Sequence, residues 1–172
     1  MKIASKLYMT VLLSAFLLAG CSHYSTTGGA LPPYLKTVFV APFGNEEDKV
    51  VIPGIEYDLA DAVASALAAD NTLKVVNSEG ADSVLEGRIV KIAETPLTYS
   101  SDEEVEEWRI SITVVASFRD WKKRRDIWGD ERIEGWGVYR SVTGSPEERQ
   151  QGIDAALKMI AEEIVEKTVA GW

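Results

Sequence analysis

Residues 108–118 constrain the fold more tightly than any other stretch. Trp108, Ile110, Ile112, Val114, Ala116 and Phe118 fall on one parity, and Arg109, Ser111, Thr113, Val115 and Ser117 on the other. Only Val115 breaks the second set. Successive side chains of a strand point to opposite faces, so this is the signature of a strand with one covered face and one wet face. Such a strand needs partners on both sides and a layer above it.

The flanking sequence supplies both. Asp120 to Asp126 holds Lys122, Lys123, Arg124 and Arg125 between Trp121 and Trp128, and reads as a hairpin connection into a strand over about Ile127–Tyr139. Gly129, Gly135 and Gly137 weaken the pattern of that strand. Upstream, Lys36 to Phe43 contains the apolar run Val38–Ala41, stopped by Pro42, and Leu73–Val76 is a further short strand. Ser83–Ala93 is longer. One of its faces carries Leu85, Gly87, Ile89, Lys91 and Ala93, with Lys91 out of character and Gly87 suggesting a bulge or a close backbone approach. Thr95–Tyr99 reads as a break, followed by an acidic loop with Asp102, Glu103, Glu104, Glu106 and Glu107.

Two helices complete the plan. Leu59, Val63 and Leu67 recur every four residues in Ile55–Asp70, with Asp58 and Asp61 near the start, where acid suits the helix dipole, and Asn71 as a stop. Pro146 behind a Ser145 cap opens a second helix that runs to about Val169 and ends at Gly171. Its stripe is Ile153, Leu157, Ile160, Ile164 and Val165. The expected fold is an α/β two-layer sandwich, a mixed sheet of about four strands with two helices packed on one face.

The amino terminus is organised separately. Lys2 and Lys6 precede an apolar run from Leu7 to Leu18, then Leu18-Ala19-Gly20-Cys21. The run is about a dozen residues, shorter than the roughly 20 needed to span a bilayer, and it has the three parts of a secretory signal. Leu18–Cys21 resembles the lipobox of bacterial lipoproteins. That resemblance implies cleavage before Cys21, the sole cysteine, and lipidation there. Ser22 after the cysteine favours the outer membrane by the family's sorting rule. The plain alternative is an ordinary signal peptide with a free thiol. The expected organisation is residues 1–20 as signal peptide, 21–34 as a lipidated flexible tether, and 35–172 as a single periplasmic domain. Removing the signal leaves 16 basic against 27 acidic side chains, a net charge of −11. Such a surface argues against nucleic-acid binding.

Nothing assembles into catalytic machinery. His23, the only histidine, lies in the tether. No His/Cys cluster offers a metal site, and the acidic loop lacks calcium-loop spacing. Gly28-Gly29 makes no phosphate loop, and Gly144-Ser145 has no nucleophile-elbow context. We read the chain as a non-enzyme without cofactor or metal. The patch against the charge trend is Lys122, Lys123, Arg124 and Arg125, which could meet lipid phosphates with Trp121 and Trp128 as an amphipathic rim. A solvated turn is the plain reading. Trp108 is expected in the core.

Leu31-Pro32-Pro33, then Leu35–Phe43, Ala81–Gly87, Pro96–Tyr99 and the alternating strand from Trp108 resemble, in order and spacing, the LptE family of lipopolysaccharide-assembly lipoproteins. The resemblance implies a non-enzymatic outer-membrane lipoprotein. It would bind lipopolysaccharide and sit within the transport β-barrel, with Arg119 and Lys122–Arg125 as the nearest match to the family's lipid-contacting hairpin. The other reading is a lipoprotein activator of a cell-wall synthase or a component of a periplasmic secretion ring.

Overall fold

The computed structural model describes residues 31–47, 51–77, 80–140 and 145–170. The signal segment, Cys21, His23, most of the tether, Gly144, Gly171 and Trp172 lie outside the described residues.

The strands are β1 (Thr37–Val40), β2 (Gly44–Asn45), β3 (Lys74–Val75), β4 (Ser83–Tyr99), β5 (Val105–Asp120) and β6 (Arg125–Arg140). The helices are α1 (Ile55–Asp70) and α2 (Pro146–Val169). The sheet runs β3-β1-β4-β5-β6, with β2 on the free side of β4 beyond β1. β1 is parallel to β3 and β4, and β2 is parallel to β4. β4, β5 and β6 form an antiparallel meander. The expected mixed two-layer sandwich stands, with six strands where the sequence suggested about four. The strand with no reading of its own is β2, only two residues long and without a hydrophobic pattern, and the short segment at Leu73–Val76 also joins the sheet as β3.

The helices take the expected bounds. Ile55, Leu59, Val63 and Leu67 are buried along α1, and the Asn71 N–H closes its end on the Leu67 carbonyl with Asn71 at φ 65°. In α2 the Ser145 hydroxyl accepts from the Glu148 N–H at 3.2 Å, and Pro146 occupies the first turn, where its missing donor costs nothing. Both helices pack on each other and on one side of the sheet, α1 over β1 and β3, α2 over β6 and β5. Their apolar faces and Leu85, Ile89, Ile92, Ile110, Ile112, Val114 and Phe118 make one core.

Three expectations need correction. Thr95–Tyr99 is not a break but the end of β4, which pairs with β5 as far as Tyr99↔Val105. Pro96 is tolerated because it shares the parity of Ile92, whose N–H points away from β5, and among the described residues no strand lies on that side of β4 there, so no ladder bond is lost. Lys91 does not share a face with Leu85 and Ile89. A bulge between Ile89 and Lys91 leaves Val90 unpaired and inverts the alternation, so Ile92 is buried and Lys91 is exposed. Gly87 is a close approach instead: a Cβ there would sit 2.7 Å from the Val115 carbonyl and from Phe43. Trp108 is half-buried rather than core.

The glycines of β6 also have a cause. Gly135 and Gly137 face α2, and a Cβ on either would collide with the carbonyls of Ala156 and Gly152. The helix therefore lies directly on the backbone of β6. Its first turn is fixed by Glu94. Arg149 donates to Glu94 Oε1 from Nη2 at 2.5 Å and from Nε at 3.0 Å, and the Tyr139 hydroxyl donates to Oε2 at 2.8 Å. Burial first, and the Glu94 carboxylate second, push the Tyr139 hydroxyl up to about 12. No helix among the described residues is long and apolar enough to cross a membrane.

Candidate functional site

The basic segment forms the β5–β6 turn, residues 121–124, at one pole of the meander. Two carboxylates under it fix its position. Asp120, the last residue of β5, is fully buried. Its Oδ2 accepts from the Tyr34 hydroxyl at 2.5 Å, and its Oδ1 accepts from the Lys123 N–H at 2.9 Å. Burial pushes its carboxyl up. The hydrogen bonds from Tyr34 and Lys123 and the nearby charges of Lys123 and Arg125 outweigh that and hold it below the usual carboxylate range.

Asp82, just before β4, is the second. Its Oδ2 accepts from the Lys36 N–H at 2.8 Å and the Thr37 N–H at 3.1 Å, and its own N–H donates to Thr37 Oγ1 at 2.9 Å. Its Oδ1 pairs with the Lys122 ammonium. The Lys122 contact first, then the backbone donors, lower its carboxyl to about 2 against the cost of burial. The Trp121 N–H donates to the Asp82 carbonyl at 3.0 Å. These bonds also bring the chain into the domain at this pole. Tyr34 and Lys36 lie beneath the turn, and the Lys123 ammonium stands 4.1 Å from the centroid of the Tyr34 ring.

The five basic residues singled out from sequence thus have different situations. Arg119 is on the open face of β5. It donates from Nε to Asp126 at 2.7 Å and pairs with Glu86 at 3.2 Å, and Asp126 first and Glu86 second raise its already high pKa. Lys122 is engaged by Asp82 and Lys123 by Tyr34. Arg124 has no ion-pair partner among the described residues and holds the turn at φ 50°. Arg125 follows it as the first residue of β6. With Arg119, Trp121, Lys122 and Asp126 they line a cleft of about 710 Å³, and the Trp121 ring beside it is 51% exposed. Trp128 lies inside, 6.2 Å from Phe118, so it packs rather than forming a rim. This arrangement can bind an anion with two arginine forks beside an aromatic surface. Among the described residues no group of three or more His, Cys, Asp or Glu is placed to hold a metal ion. Cys21, the expected lipidation site, lies outside the described residues.

Tyr34, Asp82 and Asp120 were not legible as parts of this site. The sequence hint was weak: single acids abutting apolar strands, at Asp82-Ser83-Val84 and Phe118-Arg119-Asp120.

Several solved structures share the fold. Protein XCC0632 from Xanthomonas campestris matches with a TM-score of 0.56 at 13% identity, covering 81% of this chain and 89% of that one. A candidate lipoprotein from Caulobacter crescentus matches with a TM-score of 0.51 at 16% identity, covering 78% and 89%. A minor lipoprotein from Acinetobacter baumannii matches with a TM-score of 0.50 at 12% identity, covering 77% and 91%. At these identities the likeness is one of fold. No curated protein matches the sequence. The family described as LptE, lipopolysaccharide-assembly, matches over residues 35–168, which is the whole span from the foot of β1 to the last turn of α2, and the chain belongs to that family.

Proposed function

We propose that this protein is an outer-membrane lipoprotein that binds lipopolysaccharide and partners, as a plug, the lipopolysaccharide-transport β-barrel. It acts without catalysing a reaction. Residues 1–20 are its signal peptide, Cys21 its lipidated residue, 21–34 its tether and 35–172 its single periplasmic domain. The observation that carries this reading is the family match over residues 35–168. The basic turn adds to it. In this reading Arg124 and Arg125 meet the phosphates of the glycolipid, Trp121 lies along its apolar part, and Arg119, Lys122 and Lys123 hold the turn in shape. The acidic remainder of the surface keeps other anions away.

The lipidated protein, drawn from its own outer membrane in mild detergent, is expected to carry a large β-barrel at equal stoichiometry. Arg124→Glu with Arg125→Glu is expected to weaken binding of purified lipopolysaccharide by about tenfold or more, since charge-assisted hydrogen bonds contribute about 1.5–3 kcal/mol each. Affinity unchanged by the double reversal removes the turn from the binding site. Recovery of a cell-wall synthase, or of a ring of identical subunits, replaces the barrel reading with the activator or secretion-ring one.

A further inference from the structure

The two edges of the sheet are built differently. One edge is β3, two residues long, against the four-residue β1, with the two-residue β2 covering the next part of β4. Just past β2 the Ile92 N–H of β4 donates to Glu47 Oε2 at 2.9 Å. Short edge strands and a carboxylate cap deny an incoming strand its template. The other edge is β6. Among the described residues its one strand neighbour is β5, and from Glu131 to Arg140 the two pair residue for residue without a bulge. This stretch contains no proline and no lysine. Every second residue turns its amide and carbonyl outward.

The space beside that edge is shaped. α2 lies on the backbone of β6 at Gly135 and Gly137. A helix is about 10–12 Å across and an added strand would run about 4.8 Å away, so α2 overhangs the vacant position. At the Arg140 end a cleft of about 250 Å³ lies between Glu107, Val138, Tyr139 and Arg140 of the sheet and Glu148 and Gln151 of α2. Spacing by four puts Ala155 and Met159 on the same helical stripe as Gln151, and Met159 is exposed. On the open face Trp136 and Val138 are 43% and 36% exposed, with the Arg109 guanidinium 4.9 Å over the Trp136 ring.

We propose that the edge Glu131–Arg140 accepts one β-strand from a partner polypeptide, held between the overhang of α2 and the Trp136–Val138 pair. The side chains specify that strand, because residues directly opposite in neighbouring strands share a face. It presents acids opposite Arg132 and Arg140, a base opposite Glu134, and β-branched or aromatic residues opposite Trp136 and Val138. Its alternate positions lie under α2 and must be small. A second copy of this chain is a poor occupant. Pairing most of the segment with itself would set two α2 helices about 5 Å apart, where packed helices need 8–10 Å. The inference does not depend on the glycolipid reading of the opposite pole.

The test uses the full lipidated protein in detergent and a synthetic peptide of about nine residues, long enough to pair along 131–140. Antiparallel to β6, the peptide carries glutamate, valine, isoleucine, lysine and glutamate in turn, with alanine or serine between them. Its control exchanges every glutamate for lysine and the lysine for glutamate. The first peptide is expected to bind at least about tenfold tighter than the control and to slow amide exchange within 131–140 alone. The triple exchange Arg132→Glu, Glu134→Lys, Arg140→Glu, all at exposed positions, is expected to invert the preference. Val138→Lys, an edge-blocking charge, is expected to abolish binding of both. Equal affinity for the two peptides, or protection elsewhere in the protein, overturns the proposal. Protection of 131–140 in the free protein at concentrations where it self-associates assigns the edge to a second copy and also overturns it.

Discussion

The two hairpin turns at the ends of β5 are opposites. The β5–β6 turn is basic and is held from below: Asp120 is buried and bonded to Tyr34, and Asp82 holds Lys122. The β4–β5 turn, residues 100–104, is acidic and is held mainly by itself. The Ser100 hydroxyl accepts from the Asp102 and Glu104 N–H groups at 3.2 Å each, and the Ser100 N–H donates to the Glu104 carbonyl at 2.8 Å. Both turns contain one non-glycine residue in the left-handed region, Arg124 at φ 50° and Glu103 at φ 63°. Charge and backbone geometry therefore do not distinguish a positioned turn from a free-standing one. What distinguishes them is whether side chains from elsewhere in the chain reach under the turn. A binding group has to be held by its neighbours to be useful, and only the basic turn meets that requirement.

The comparison breaks most visibly at Asp120. Asp120→Ala leaves the Tyr34 hydroxyl and the Lys123 N–H without their acceptor, and we expect a loss of about 3 kcal/mol in urea unfolding. Glu104→Ala in the acidic turn should stay within about 0.5 kcal/mol. Equal losses at the two sites would mean that the underpinning does not matter. The next effect is on acid stability. The Asp82 carboxyl is lowered from 3.8 to about 2, so its contribution is complete above pH 3.8 and is lost as pH falls toward 2. Wild type should lose about 1–2 kcal/mol more across that window than Asp82→Asn, which lacks the titrating group. Parallel acid-unfolding curves would refute the assignment. The smallest effect is Glu103→Gly, which relieves a left-handed conformation and should stabilise by up to about 1 kcal/mol in thermal unfolding. Arg124→Gly should do the same for the basic turn while weakening lipopolysaccharide binding, which would separate the backbone role of that position from its charge.

Local patterns carried both helices and the central strand. Ile55–Asp70 is bounded by Asn71, and Pro146 sits behind Ser145, so each signal lies within a few residues of what it controls. The errors all involve distant partners. Nothing near Val90 announces its bulge, which is set by the register against Val114 and Thr113. The glycines of β6 weaken a strand on their own, and only the presence of α2 explains them. The underpinning of the basic turn joins Tyr34 to Asp120 across 86 positions in sequence. The cationic cluster was visible as composition, whereas which of its members remain available was decided by Asp82 and Asp120, single acids whose partners lie far away in the chain.

The chain joins the domain at Tyr34 and Lys36, directly under the basic turn, and β5 carries the acidic turn away from that point along 16 residues, or about 50 Å. A rod hinged at one end sweeps its far tip widely and keeps its near end almost still. Attached through Cys21, the domain would have a stationary pole and a roaming one. In that proposed arrangement the arginines at the stationary pole would search a volume set by the 13 chain steps from Cys21 to Tyr34, at most about 45 Å of reach. The acidic tip would explore a sphere roughly twice as wide. Lengthening the tether would therefore dilute the near pole much more than the far one, and in the proposed anchored protein a short leash would concentrate the two arginines at the surface that holds it.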